Sequence, residues 1–295
     1  MKSILPFIAI SLFLFAVVVH NKPVFNRTRS GKEPRSLSGE VRASERTVGK
    51  LAGALGWLSF AVYCIFEVSY YLMQGEYYDT SLALIFLAFS LLLTALMLTI
   101  KPRASETGDD DLLFTITKIA LICAVLYFPF SELAHLGTLL IYLTTRITVA
   151  VLNLFNVGVY SIYPSSIYTI HTAFHEIYKP IEIILACTAI QSMVLFTGLV
   201  FGVTAPIDRK VKAFFVSVPI IYLLNIARNV FVTAAYFGEW FGSPLQSFYI
   251  AHGIIARIFV MASLIVIAYA VFIILPEALD VIEDFFRMVL RKRRR

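Results

Sequence analysis

Residues 181–203 read IEIILACTAIQSMVLFTGLVFGV, and no charged side chain follows Glu182 in that run. A stretch of this length and apolarity suits a helix crossing a hydrocarbon core about 30 Å thick. Cys187 falls about two turns from its start. The rest of the chain has the same character. Of its 295 residues 59% are hydrophobic and only 15% are charged, and the mean hydropathy is +0.81. Soluble domains carry about 45–50% apolar residues, so this is a polytopic membrane protein. The apolar runs lack the regular alternation of a membrane barrel, which makes the predicted fold class all-α. About seven transmembrane helices plus one re-entrant or interfacial helix are expected.

The first apolar run, at 4–19, has no small-x-small cleavage site before the basic loop and reads as an uncleaved anchor within 1–19. Residues 20–50 form a basic loop expected on the cytoplasmic side, with Lys22, Arg27, Arg29 and Lys32 among its cations. Membrane helices follow through 51–155, with spans predicted near 51–73, 81–100 and 112–130. The segment 133–155 carries His135 and Arg146, and is read as re-entrant or interfacial because of the charges beyond it. Arg209, Lys210 and Lys212, and the closing Arg291-Lys292-Arg293-Arg294-Arg295, belong on the cytoplasmic side, whereas 238–252 has no Lys or Arg and belongs outside. That leaves 156–275 as the core holding the candidate site and 276–295 as an amphipathic basic tail along the cytoplasmic interface.

The net charge of +6 is accounted for by these loops and ends, so positive-inside topology and anionic lipid explain it, and nucleic acid is not an expected partner. Cys64, Cys123 and Cys187 lie in three separate apolar segments with no C-x-x-C spacing, which argues against a redox pair and a Cys-rich metal centre. The apparent H-E-x-x-H at His175-Glu176 fails because Lys179 stands where the second histidine is required. With His171, these residues read as part of an amphipathic outer helix over 165–178. No metal and no cofactor is expected.

Two later spans each bring an arginine into the membrane, Arg228 in 211–237 and Arg257 in 253–275. Counted from the outer ends at roughly 1.5 Å per residue, Cys187 lies about 10 Å deep, Arg228 about 14 Å and Arg257 about 6 Å. An arginine within a span costs on the order of 2.5–3.5 kcal/mol, so it faces a wet cavity or a partner, and Glu182 is a candidate partner. A guanidinium beside a thiol favours the reactive thiolate and can hold an oxyanion. His252, at the mouth of the last span, can exchange protons with a leaving or entering amine. The bland alternative is that Cys187 packs, as Cys64 and Cys123 do, and that the arginines serve as structural glue.

Three blocks tip the balance. Ala186-Cys187-Thr188-Ala189-Ile190-Gln191-Ser192, Asn225-Ile226-Ala227-Arg228-Asn229-Val230 and Ala251-His252-Gly253-Ile254-Ile255-Ala256-Arg257 resemble, in order, the signature blocks of the exosortase and archaeosortase membrane enzymes, the archaeosortase branch most. The likeness is strongest over 176–260. It implies Cys187 as nucleophile, Arg228 as the essential arginine, and His252 or Arg257 as the third catalytic group. Ala189 stands where a glycine is common, a departure expected to matter little. The resemblance further implies a multi-pass cell-membrane enzyme, archaeal, with its site toward the extracytoplasmic face. Its partners would be secreted or S-layer-type proteins ending in a Pro-Gly-Phe type motif, a transmembrane helix and a basic cluster, and a membrane lipid would be the acceptor. The rival reading is a transporter or lipid-binding protein with Arg146, Arg228 and Arg257 lining an anion path. An acyltransferase acting through His252 is weaker.

Overall fold

Most of the helices are built on long apolar runs of the sequence. The computed structural model describes residues 4–21, 35–99, 107–170 and 179–293. Ten α-helices, a 3₁₀ turn, a π-helix and three short strands lie among these residues, which group in two compact units, 1–125 with 280–295 and 126–279.

The first unit contains α1 (Leu5–Asn21), α2 (Arg35–Gln74), α3 (Tyr77–Thr99) and most of α4 (Thr107–Glu132), with α10 (Pro276–Arg293) joining it from residue 280. Its core is the cluster of Phe13, Trp57, Leu93, Leu96 and Leu113. Helices come close because α2 offers small residues: a Cβ on Gly53 would meet Met97 Sδ at 2.7 Å, and one on Gly56 would meet the Phe13 ring at 2.6 Å. Trp57 Nε1 donates to Thr117 Oγ1 at 3.1 Å, which satisfies its one polar atom inside the core. The start of α4 spends three successive carboxylates on three other helices. Asp110 holds buried Lys50 at 2.6 Å, Asp111 meets His20 at 3.2 Å, and Asp109 meets Arg291 at 3.5 Å.

Two expectations change here. Residues 35–50, read as loop, are helical and continuous with the span that follows. After Pro34 that segment holds no proline and only two glycines, Gly39 and Gly49, and it alternates good helix formers with charges, so loop-like polarity conceals helical propensity. The tail is amphipathic as predicted, but from residue 280 its apolar face packs on the helix cluster: Val281, Phe285, Met288 and Val289 join the core, and Phe285 meets the Phe89 ring at 5.5 Å.

The second unit contains α5 (Ala134–Leu154), β1 (Val159–Ile162), β2 (Ser166–Thr169), β3 (Ile181–Glu182), α6 (Ile190–Gly202), α7 (Ile207–Phe237), α8 (Pro244–Phe248) and α9 (Ala256–Ile274). The strands form one antiparallel sheet in the order β1-β2-β3, with Val159 opposite Thr169 and Ile167 opposite Ile181. Asn153, near the end of α5, pairs with Val159 like a peptide unit, donating to its carbonyl at 2.9 Å and accepting its N–H at 3.0 Å, so the chain passes directly from helix to strand. Val149, Leu152, Val159, Ile167 and Ile183 bury a small core between sheet and helix.

Six helical stretches among the described residues are long and apolar enough to cross a membrane, at 44–74, 79–99, 108–132, 134–154, 207–237 and 244–274. Two apolar helices are shorter, α1 and α6. The predicted spans near 51–73, 112–130 and 211–237 lie within these stretches, those near 81–100 and 253–275 overlap them to within a residue at their ends, and the segment read as re-entrant is a continuous helix that meets the same criterion of length and composition. The stretch 181–203 is not one helix. It opens as strand, passes through a 3₁₀ turn at Leu185–Thr188 and becomes helical only at Ile190. The count of depth at a helical rise therefore does not apply to Cys187. The helix expected over 165–178 is also absent from its first part, where Ser166–Thr169 is strand; His171, His175 and Glu176 lie outside the described residues.

Candidate active site

The site begins with the way the chain enters α6. β-Branched residues flank Glu182 and suit a strand, and the small residues Ala186, Cys187, Thr188 and Ala189 allow a tight turn. Cys187 N–H donates to Ile184 O at 2.8 Å, and Thr188 Oγ1 donates to Leu185 O at 2.7 Å. Ala189 then takes φ +59° and ψ +12°, the left-handed conformation, before α6 starts. Strand, sharp turn and helix together lift the thiol out of regular structure and leave it half-buried against the small core of the second unit.

The left-handed residue explains why glycine suits this position. A Cβ there costs about 1 kcal/mol, so the alanine is a strained departure rather than an innocuous one.

α7 supplies the opposite wall. Asn225, Arg228 and Asn229 fall at helical spacing on one face. Asn225 Nδ2 and Asn229 Nδ2 both donate to the Cys187 carbonyl, at 2.7 and 2.9 Å. Arg228 Nη1 donates to Asn229 Oδ1 at 3.1 Å. Arg228 makes no ion pair among the described residues. Glu182, the partner suggested for an intramembrane arginine, lines the same cleft without reaching ion-pair distance.

The third wall is the stretch before α9. Ser243 caps α8, its side chain accepting from Gln246 N–H at 3.4 Å with Pro244 in the first helical position. Residues 249–255 then wind as a π-helix, an expansion frequent at functional sites, and His252 lies within it. The His252 ring stacks on Phe248 with centroids 4.9 Å apart and planes 7° from parallel. Phe248 in turn meets Tyr236, whose hydroxyl donates to Lys179 O at 3.0 Å, so the imidazole is braced back to the segment that leads into β3.

These walls enclose a cleft of about 30 Å³ that Glu182, Cys187, Arg228, Asn229, Phe248 and His252 line. It has room for a water molecule or two, or for the reacting atoms of a peptide unit. Beyond it lies a cavity of about 650 Å³, which shares Phe248 and His252 and adds Arg257. The structure thus brings Cys187, Arg228 and His252 to one cleft and places Arg257 next door, in the cavity that His252 also lines. Arg146, exposed on α5, lines neither cavity, and Cys64 and Cys123 lie on α2 and α4 of the first unit. Among the described residues no group of three or more His, Cys, Asp or Glu is arranged to hold a metal ion.

Chemically the arrangement offers a thiol, a cation and an imidazole around one small space, the parts needed to attack a carbonyl, hold the resulting oxyanion and move a proton. The two asparagines and Phe248 had no assigned role in the sequence. Helical spacing shows that Asn225 and Asn229 share a face with Arg228, but not that a backbone carbonyl from another segment lies opposite.

Residues 4–269 match the model of the transmembrane exosortase family. The chain is 35% identical over 123 residues to archaeosortase A of Haloferax volcanii, a match spanning 37% of this chain and 41% of that protein. It is 29% identical over 227 residues to archaeosortase A of Natronomonas pharaonis, spanning 68% and 72%. No solved structure matches the chain.

Proposed function

Because the chain belongs to the transmembrane exosortase family, we propose that it is a membrane-embedded cysteine transpeptidase acting on secreted surface proteins. Its substrates carry a C-terminal signal of a Pro-Gly-Phe type motif, a transmembrane helix and a basic cluster. Two of its relatives are archaeosortases from archaea, which favours an archaeal cell membrane as its location. The site faces the extracytoplasmic side, where such a motif would emerge just outside the substrate's own helix.

The chemistry follows from the cleft. Cys187 Sγ, as thiolate, attacks the carbonyl carbon of the scissile peptide, and the Arg228 guanidinium holds the oxyanion. The C–N bond breaks, the departing amine takes a proton from His252, and a thioester to Cys187 remains. An incoming lipid amine, deprotonated by His252, attacks the thioester and expels the thiolate, so that a lipid anchor replaces the peptide anchor. Arg257, in the larger cavity beside His252, binds negative charge on substrate or acceptor.

The shared cleft is the observation that carries this reading: Cys187, Arg228 and His252 come from three separate segments and line one space. The test is Cys187→Ala in cells expressing a reporter with the tripartite signal. Processing should stop while the variant remains inserted at normal abundance, and the mature reporter made by the unaltered protein should carry the mass of a lipid at its new C-terminus. Processing that survives Cys187→Ala would return the arginines to an anion path. A free carboxylate on the mature reporter would make the enzyme a hydrolase.

A further inference from the structure

The carbonyl of Cys187 receives two side-chain hydrogen bonds, from Asn225 Nδ2 at 2.7 Å and Asn229 Nδ2 at 2.9 Å, which occupy both of its lone pairs. Both asparagines are buried, with 7% and 3% of their surface exposed, so their donors have little access to alternative partners. The orientation of the Asn229 amide is dictated by its neighbours. Arg228 can only donate, so it takes Oδ1, at 3.1 Å; the Cys187 carbonyl can only accept, so it takes Nδ2. A single side chain therefore links the guanidinium to the backbone of the thiol-bearing residue. Asn225 has only the second half of that connection.

From this geometry we infer that Asn225 and Asn229 are positioning residues that clamp the Cys187 turn onto α7, and that Asn229 also sets where the Arg228 guanidinium stands relative to the thiol. The 3₁₀ turn needs such a clamp. It ends in a left-handed alanine, and its only other hydrogen bonds described above are local, within three residues. An unclamped turn would let Sγ drift, and a displacement of about 1 Å from productive geometry costs on the order of a hundredfold in rate. The two residues have different signatures. Loss of Asn225 loosens the turn and leaves the Arg228 contact in place. Loss of Asn229 loosens the turn and also frees the cation whose position favours the thiolate.

The inference rests on Cys187 being a nucleophile activated by Arg228, and the experiment separates the two claims. Site-specific alkylation of Cys187 by iodoacetamide at pH 7, read by mass spectrometry on the full-length protein in detergent, reports thiolate availability. Processing of the tripartite reporter reports turnover as separate kcat and KM. Arg228→Ala, Asn229→Ala and the near-isosteric, uncharged Asn229→Leu should each slow alkylation about tenfold. Asn225→Ala should change alkylation by no more than about twofold, yet lower kcat about tenfold with KM unchanged. Asn229→Leu retains the size and branching of the side chain without its polar atoms, so it carries the test if Asn229→Ala does not accumulate; thermal unfolding in the same detergent checks that each variant is folded.

Alkylation that is unmoved by Arg228→Ala sinks the activated-thiol reading itself. Alkylation that responds to Arg228→Ala but not to Asn229→Leu overturns the assignment of Asn229. A kcat unaffected by Asn225→Ala overturns the clamp.

Discussion

Ala189 is a residue whose cost is set by its backbone alone. At φ +59° a glycine would be unstrained, so Ala189→Gly should stabilise the protein by up to about 1 kcal/mol, whereas Ala189→Val, branched at Cβ, should destabilise it by more than that. Thermal unfolding in detergent measures both, and the valine variant should also lose processing because the turn presenting Cys187 changes shape. His252 and Arg257 can be ranked in the same way. His252 lines the cleft with Cys187, so His252→Ala should lower kcat by about a hundredfold, as expected for loss of a proton-transfer group. Arg257 lines the neighbouring cavity, so Arg257→Ala should act mainly on KM, with Arg257→Lys restoring part of it. Steady-state processing of the reporter decides, and the opposite ranking would exchange the two roles.

Among the elements, α4 binds the first unit through its opening turn. The Lys50–Asp110 pair is nearly dry, with side-chain exposures of 6% and 5%. Removing one member leaves a buried charge, so Asp110→Ala should cost about 3–5 kcal/mol, while the apolar pair Lys50→Met with Asp110→Leu should be close to neutral. Comparing the unfolding temperatures of the single and double variants measures this directly. The contact of α1 with α2 depends on the absence of a side chain. Gly56→Leu would drive its Cβ to 2.6 Å from the Phe13 ring, and it should lower stability by about 1–3 kcal/mol in the same assay.

At the scale of the whole molecule, the proposed orientation of the site is tested at the two ends of α7. Its 31 residues extend about 46 Å, longer than a hydrocarbon core about 30 Å thick, so it is long enough to cross one with both ends outside the core. With the site toward the outside, a cysteine at Leu245, just beyond the outer end of α7, should react with an impermeant maleimide in intact cells, and one at Asp208 should react only after lysis. The reverse labelling pattern would place the cleft on the cytoplasmic side.

The sequence by itself determined the membrane class, the helical character, most of the long spans and the candidates Cys187, Arg228, His252 and Arg257. Each of these is a local property: hydropathy sums over neighbours, and a charge or thiol in an apolar run is conspicuous wherever the chain later goes. It did not reveal that 181–189 leaves the helix, that 159–169 is a hairpin, or that residues 35–50 are helical. Short β-branched runs such as Ile181–Ile184 read equally well as helix in an apolar context, and only their pairing partner, distant in sequence, chooses the strand. The tertiary structure also decided which third-block residue shares the cleft with the thiol. The π-helix over 249–255 alters the helical phase of His252 and Arg257, which no count of 3.6 residues per turn anticipates. Above all, it decided what the face of Asn225, Arg228 and Asn229 meets, because a hydrogen bond to the Cys187 carbonyl depends on where another segment's backbone lies, and side-chain pattern carries no record of that.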